Sequence, residues 1–103
     1  MQADTSVVPA VEVVFDLDSA WRLHPQVALR YETFGALAYH FDTRRLSFLK
    51  SPTLRNAVES LASHRTARAS LAAAGVSESE LPLYTQALET LARSNMITPR
   101  EMP

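Results

Sequence analysis

Cysteine is absent from the 103 residues. That excludes disulfide frameworks, thiolate nucleophiles and cysteine-ligated zinc or iron–sulfur sites. Glycine occurs only at Gly35 and Gly75, too sparsely for a phosphate-cradling glycine loop. No apolar run approaches the ~20 residues that cross a bilayer. Residues 1–20 hold neither Lys nor Arg, so a secretory signal with a basic start is not expected. The expected location is the cytoplasm, with no membrane contact. What is present is ordinary for a folded protein, 47% hydrophobic and 20% charged. The length allows one domain with a core and little room for a deep active-site cavity.

The net charge of −1 is unevenly spread. Residues 1–20 carry Asp4, Glu12, Asp16 and Asp18 with no cation. Residues 21–68 hold eight of the ten cations against Glu32, Asp42 and Glu59, a surplus of +5. Residues 69–103 return to −2, with Arg93 and Arg100 against four Glu. The middle of the chain attracts an acidic partner, while the whole is not drawn strongly to nucleic acid. A solvated surface of mixed charge accounts for the same residues.

Residues 1–18 read as a lead-in arm, in which the run Val11–Phe15 leaves open an added strand or a mobile segment. Residues 19–103 read as the single domain. Val27, Leu29 and Tyr31 alternate as in a half-buried strand over Val27–Glu32, and Leu37, Tyr39 and Phe41 do so over Ala36–Phe41. Thr33-Phe34-Gly35 is the first turn, and Asp42-Thr43 suits a tight second hairpin. In Arg44–Leu49, Leu46 and Phe48 are expected to face the core, leaving Arg45, Ser47 and Leu49 outside. Short connections give an antiparallel meander whose first and third strands are edges.

Helical spacing then takes over. Ser51-Pro52 is a helix start, followed by Leu54, Ala57, Val58 and Leu61 on one stripe. A second helix lies within Thr66–Ala74, ended by Gly75. A third carries Leu81, Tyr84, Leu88 and Leu91, with Met96 to Pro103 as a short tail. Three strands followed by three helices give an α+β fold of winged helix-turn-helix type.

No catalytic constellation is visible. His24, His40 and His64 share no metal-ligand spacing, Asp16 and Asp18 lack a third carboxylate, and no serine sits in a nucleophile elbow. No enzyme activity, cofactor or metal is expected. The third strand is more informative, because an edge leaves N–H and C=O groups unpaired. Arg44, Arg45 and Lys50 fit charges that protect such an edge. They also fit an edge that accepts an extended acidic peptide as a fourth strand. A proline at Ser47 tests that second account if its N–H faces outward. The apolar stripe of the third helix fits a core face, with Leu83 and Ala87 on the flank able to line a cleft.

Three strings carry a resemblance: Trp21-Arg22-Leu23-His24-Pro25-Gln26-Val27-Ala28-Leu29-Arg30, Phe34-Gly35-Ala36-Leu37-Ala38-Tyr39-His40-Phe41 and Arg44-Arg45-Leu46-Ser47-Phe48-Leu49-Lys50-Ser51-Pro52. The sequence closely resembles the peptide chaperones of the mycofactocin system. These are stand-alone precursor-peptide recognition elements, similar to the chaperone of pyrroloquinoline quinone biosynthesis. The resemblance implies a three-stranded sheet, a three-helix bundle and a non-catalytic binding role. It implies that the leader of a ribosomal precursor peptide docks as an extra strand between the third strand and the third helix. A radical S-adenosylmethionine maturase then modifies the precursor's C-terminal Val-Tyr end. Carried onto this sequence, the strand side is Arg44, Arg45, Leu46, Ser47, Phe48, Leu49 and Lys50, and the helix side Leu83, Tyr84, Ala87, Leu88 and Leu91. The expected state is a monomer or weak dimer. The alternative is a winged-helix nucleic-acid binder that inserts its third helix in the major groove. Glu78, Glu80 and Glu89 on that segment, against Arg93, oppose phosphate.

Overall fold

Residues 14–101 are described by the computed structural model. Within them run β1 (Trp21–Leu23), β2 (Val27–Glu32), β3 (Gly35–His40) and β4 (Leu46–Leu49). There follow α1 (Pro52–Glu59), a 3-10 turn (Leu61–Ser63), α2 (Ala67–Ala73), α3 (Leu81–Arg93) and β5 (Ile97–Pro99). The fold is α+β. β2, β3 and β4 form an antiparallel sheet in that order, so β2 and β4 are its edges, as expected.

The last element is a correction. The segment after Met96, expected to be a tail, supplies β5, which pairs antiparallel with β1 through Trp21↔Pro99 and Leu23↔Ile97. The ribbon exists because it covers the core. Trp21, Met96 and Ile97 are each 1% exposed. Asn95 at φ 63° turns the chain out of α3, and Met96 C=O accepts from His24 N–H at 2.9 Å.

α1 and α2 start where their caps predict. Ser51 Oγ accepts from Leu54 N–H at 2.9 Å and Thr66 Oγ1 from Ala69 N–H at 3.0 Å; a cap of this kind contributes about 1 kcal/mol. Gly75 lies at φ +95° beyond α2. Ahead of α3, Glu80 folds back to accept from Ser77 N–H at 3.0 Å. That bond holds its carboxyl below the ordinary range.

β3 and β4 pair in the register Leu37↔Phe48 and Tyr39↔Leu46. The strand ends differ from expectation. Phe41 and Arg44 belong to the connecting turn, Arg44 in the left-handed region at φ 65° with its N–H on His40 C=O. The facing is also opposite to expectation. Leu46 and Phe48 are 52% and 55% exposed, whereas Leu49 is fully buried and Ser47 half-buried. The core face of the sheet is built of small residues, Ala36 and Ala38, with Val27, His40 and Leu49. α1 lies on that face, and small side chains on both sides, Ala57 included, let helix and sheet approach closely. A side-chain period of two shows that Leu37, Tyr39, Leu46 and Phe48 share a face, but not that the face is outward. Gly35, at φ +151°, sits so near the end of β4 that a Cβ would lie 2.0 Å from Leu49 C=O. No other residue fits that approach.

Of the expected arm, residues 1–13 lie outside the described residues. Phe15 packs on Trp21 with ring centroids 4.8 Å apart, and Trp21 Nε1–H donates to Asp16 C=O at 2.8 Å. Leu17 C=O accepts from Arg68 N–H, and Asp18 pairs with the Arg68 side chain at 2.7 Å. That hydrogen bond lowers the Asp18 carboxyl pKa.

Candidate functional site

The open edge of β4 is the first component of the site. His40 N–H donates to Arg45 C=O at 2.9 Å, which fixes the phase of the antiparallel ladder. Ala38–Ser47 and Ala36–Leu49 are therefore the hydrogen-bonded pairs, and Tyr39–Leu46 and Leu37–Phe48 the others. The N–H and C=O groups of Leu46 and Phe48 thus point away from the sheet. Ser47 N–H points into it, so a proline there breaks the sheet and does not test the edge.

Beside that edge lies a cleft of about 500 Å³ between β4 and α3. Ser47, Phe48 and Lys50 form one wall, Ser51 and Leu54 the base, and Leu83, Tyr84, Ala87, Thr90 and Leu91 the other wall. At the base Ser51 Oγ and Tyr84 Oη lie 3.4 Å apart, joining the start of α1 to α3. The walls match in length. The four residues of β4 extend about 13 Å, and the helix from Leu83 to Leu91 rises about 12 Å. The cleft therefore takes about four residues of extended chain, with its backbone on β4 and alternate side chains toward the apolar wall of α3. Among the described residues, Lys50 is the only charged one in the lining. Glu78 and Glu89 line a different groove, about 560 Å³ in volume, on the other flank of α3 with Leu17 and Arg68. The acidity of the third helix is thus turned away from the cleft.

Seven of the twelve candidate residues line the cleft: Ser47, Phe48, Lys50, Leu83, Tyr84, Ala87 and Leu91. Leu46 adjoins it through its outward backbone. Arg45 precedes β4 and is exposed, and Arg44 is held in the turn. Leu49 and Leu88 are fully buried and belong to the core. Three lining residues were not among the candidates. Ser51 and Leu54 read from sequence as helix cap and core, and both roles are real. Thr90 was legible, since it follows Leu83 and Ala87 at helical spacing.

At the far end of β3 the rings of His24 and His40 meet at a tilt of 44°, with centroids 4.5 Å apart. His40, 1% exposed, accepts at Nδ1 from the N–H groups of Asp42 and Thr43, holding the turn that leads into β4. Its Nε2 has no partner among the described residues. Desolvation, then the facing His40 and Arg22, lowers the His24 pKa. Among the described residues no three His, Asp or Glu side chains group as metal ligands, and no helix is long and apolar enough to cross a membrane.

Residues 20–98, from the start of β1 into β5, match the peptide chaperone MftB family. Peptide chaperone MftB of Mycolicibacterium smegmatis is 53% identical over 90 residues, covering 87% of this chain and 88% of that protein. Those of Mycobacterium ulcerans and Mycobacterium tuberculosis are 55% and 52% identical over 87 residues, 84% of this chain and 80% of each relative. No solved structure matches. With a family match that spans the sheet, the three helices and both walls of the cleft, this chain belongs to the peptide chaperone MftB family.

Proposed function

We propose that this chain is a non-catalytic chaperone that binds the leader of a mycofactocin precursor peptide as a fourth strand on β4. In this account it presents the precursor to a radical S-adenosylmethionine maturase. The supporting observation is the pair of outward N–H and C=O groups of Leu46 and Phe48, facing an apolar helix wall across a cleft of matching length. Backbone pairing supplies affinity and the wall of α3 reads alternate apolar side chains. Lys50 and Arg45 favour carboxylates on the leader, and their exposure makes that contribution modest. The chaperone accelerates nothing chemically. It raises the effective concentration of the precursor's reactive end near the maturase. The order of sheet then helices fits a winged helix-turn-helix arrangement, here used for a peptide.

Calorimetric titration with a synthetic mycofactocin-type leader, and with random duplex DNA as control, tests this. Saturable one-to-one binding of leader alone is expected. DNA binding without leader binding would overturn it in favour of the nucleic-acid alternative.

A further inference from the structure

The face of the sheet turned away from α1 is one that the proposed peptide binding leaves unused. Leu37 lies beside Phe48, and Tyr39 beside Leu46. Phe34 packs on Phe48 with centroids 5.9 Å apart, and Phe41 meets Tyr39 edge-on at 5.2 Å. Phe34, Phe41, Leu46 and Phe48 are between 41% and 57% exposed. Half-exposed, these four side chains leave about 400 Å² of contiguous apolar surface, the size at which patches on monomers are often functional.

Two observations say what covers it. First, the rim is positive: Arg44 and Arg45 before β4 and Lys50 after it stand exposed with no ion pair among the described residues, against Asp42. A second copy would bring like charges together. It would also bury only about half of the ~800 Å² per partner of a standard interface. Second, the face is continuous with the cleft. Leu46 and Phe48 turn their backbone to the cleft and their side chains to this face. A strand added beside β4 places every second side chain on the same face, about 5 Å from those of Leu46 and Phe48. Filling the cleft therefore widens that face of the sheet.

We propose that the outer face of β2–β3–β4 docks a folded protein with an apolar, acid-rimmed patch, the maturase of the function proposed above. We further propose that bound leader completes this surface, so that leader and maturase bind cooperatively. The identity of the occupant rests on that function.

The test is the affinity of the maturase for this chain, with and without saturating leader, beside the affinity for leader alone. The variants are F34S/F41S, which alters two turn residues outside the cleft, and L83S, which alters its helix wall. Wild type is expected to bind the maturase several-fold more tightly with leader present. F34S/F41S should lose maturase affinity about tenfold while binding leader normally, which also shows that it is folded. L83S should bind the maturase normally without leader and lose leader affinity. Undiminished maturase binding by F34S/F41S would overturn the docking surface, and equal maturase affinity with and without leader would overturn the coupling. The proposal also falls if F34S/F41S instead abolishes a concentration-dependent dimer or binding to phosphatidylserine vesicles. It falls equally if maturase binds only after residues 1–13 are removed. Wild type that binds maturase but no leader would refute the leader-binding function and leave the docking surface standing.

Discussion

Which way a single N–H points decides what a substitution on β4 reports. Phe48 N–H faces the cleft and Ser47 N–H faces β3. Phe48→Pro removes only an edge donor, a position where proline is tolerated. It should weaken leader binding about tenfold beyond Phe48→Ala, with the thermal midpoint close to that of the alanine variant. Ser47→Pro orphans Ala38 C=O in the sheet and should cost about 2 kcal/mol or more in urea denaturation. Normal leader binding by Phe48→Pro would place the peptide elsewhere. The His24–His40 contact has its own signature at this scale. His24 has a lowered pKa through desolvation, then the neighbouring His40 and Arg22, with Asp42 opposing. The unfolded chain therefore binds this proton more readily than the folded one. Stability from this group is complete above the ordinary value of 6.5 and falls as pH drops through it toward the lower folded value. His24→Gln should shrink the difference in urea midpoint between pH 7 and pH 5, and an unchanged difference would assign the acid loss to other groups.

Elements were legible where local chemistry specifies them. Ser51-Pro52, Thr66 and Gly75 mark helix ends on their own, and the alternation at Val27–Glu32 marks β2. What sequence hid was tertiary. β5 is three residues, Ile97-Thr98-Pro99, with too short a pattern to show a strand, and it forms because Trp21 needs cover. The outward facing of β4 was hidden because the core selects small residues against α1 and not the most apolar side of the sheet. The cleft was half legible, since helical spacing groups Leu83, Ala87 and Thr90. Only the fold shows that Glu89 falls on the opposite flank. β5 gives a direct check on this account. Ile97, 1% exposed and opposite Leu23, should cost about 2–4 kcal/mol on truncation to Ala. Half-buried Thr98→Ala should cost under about 1 kcal/mol. Equal small losses in urea midpoint would mean that the ribbon is peripheral to the core.

At the scale of the whole molecule, charge is sorted by function more than by sum. The middle of the chain holds the cation surplus, and three of its members that form no ion pair among the described residues, Arg44, Arg45 and Lys50, flank the two ends of β4. Glu78 and Glu89 face the far groove, and Glu80 folds back on Ser77. A protein of net charge −1 thus presents a locally positive cleft. Exposed charges are screened as the Debye length falls from about 10 Å at 0.1 M salt to 3 Å at 1 M. Backbone pairing and apolar contact in the cleft are not. Leader affinity should therefore weaken only several-fold across that range, in calorimetric titrations at constant pH. A ligand held by phosphate neutralisation behaves differently, losing about three decades or more between 0.05 and 0.2 M salt when six or more contacts are made. A steep, linear fall of log affinity with log salt would mean that the positive rim, and not the edge of β4, holds the ligand. The strand-addition mechanism would then be wrong even if the leader binds.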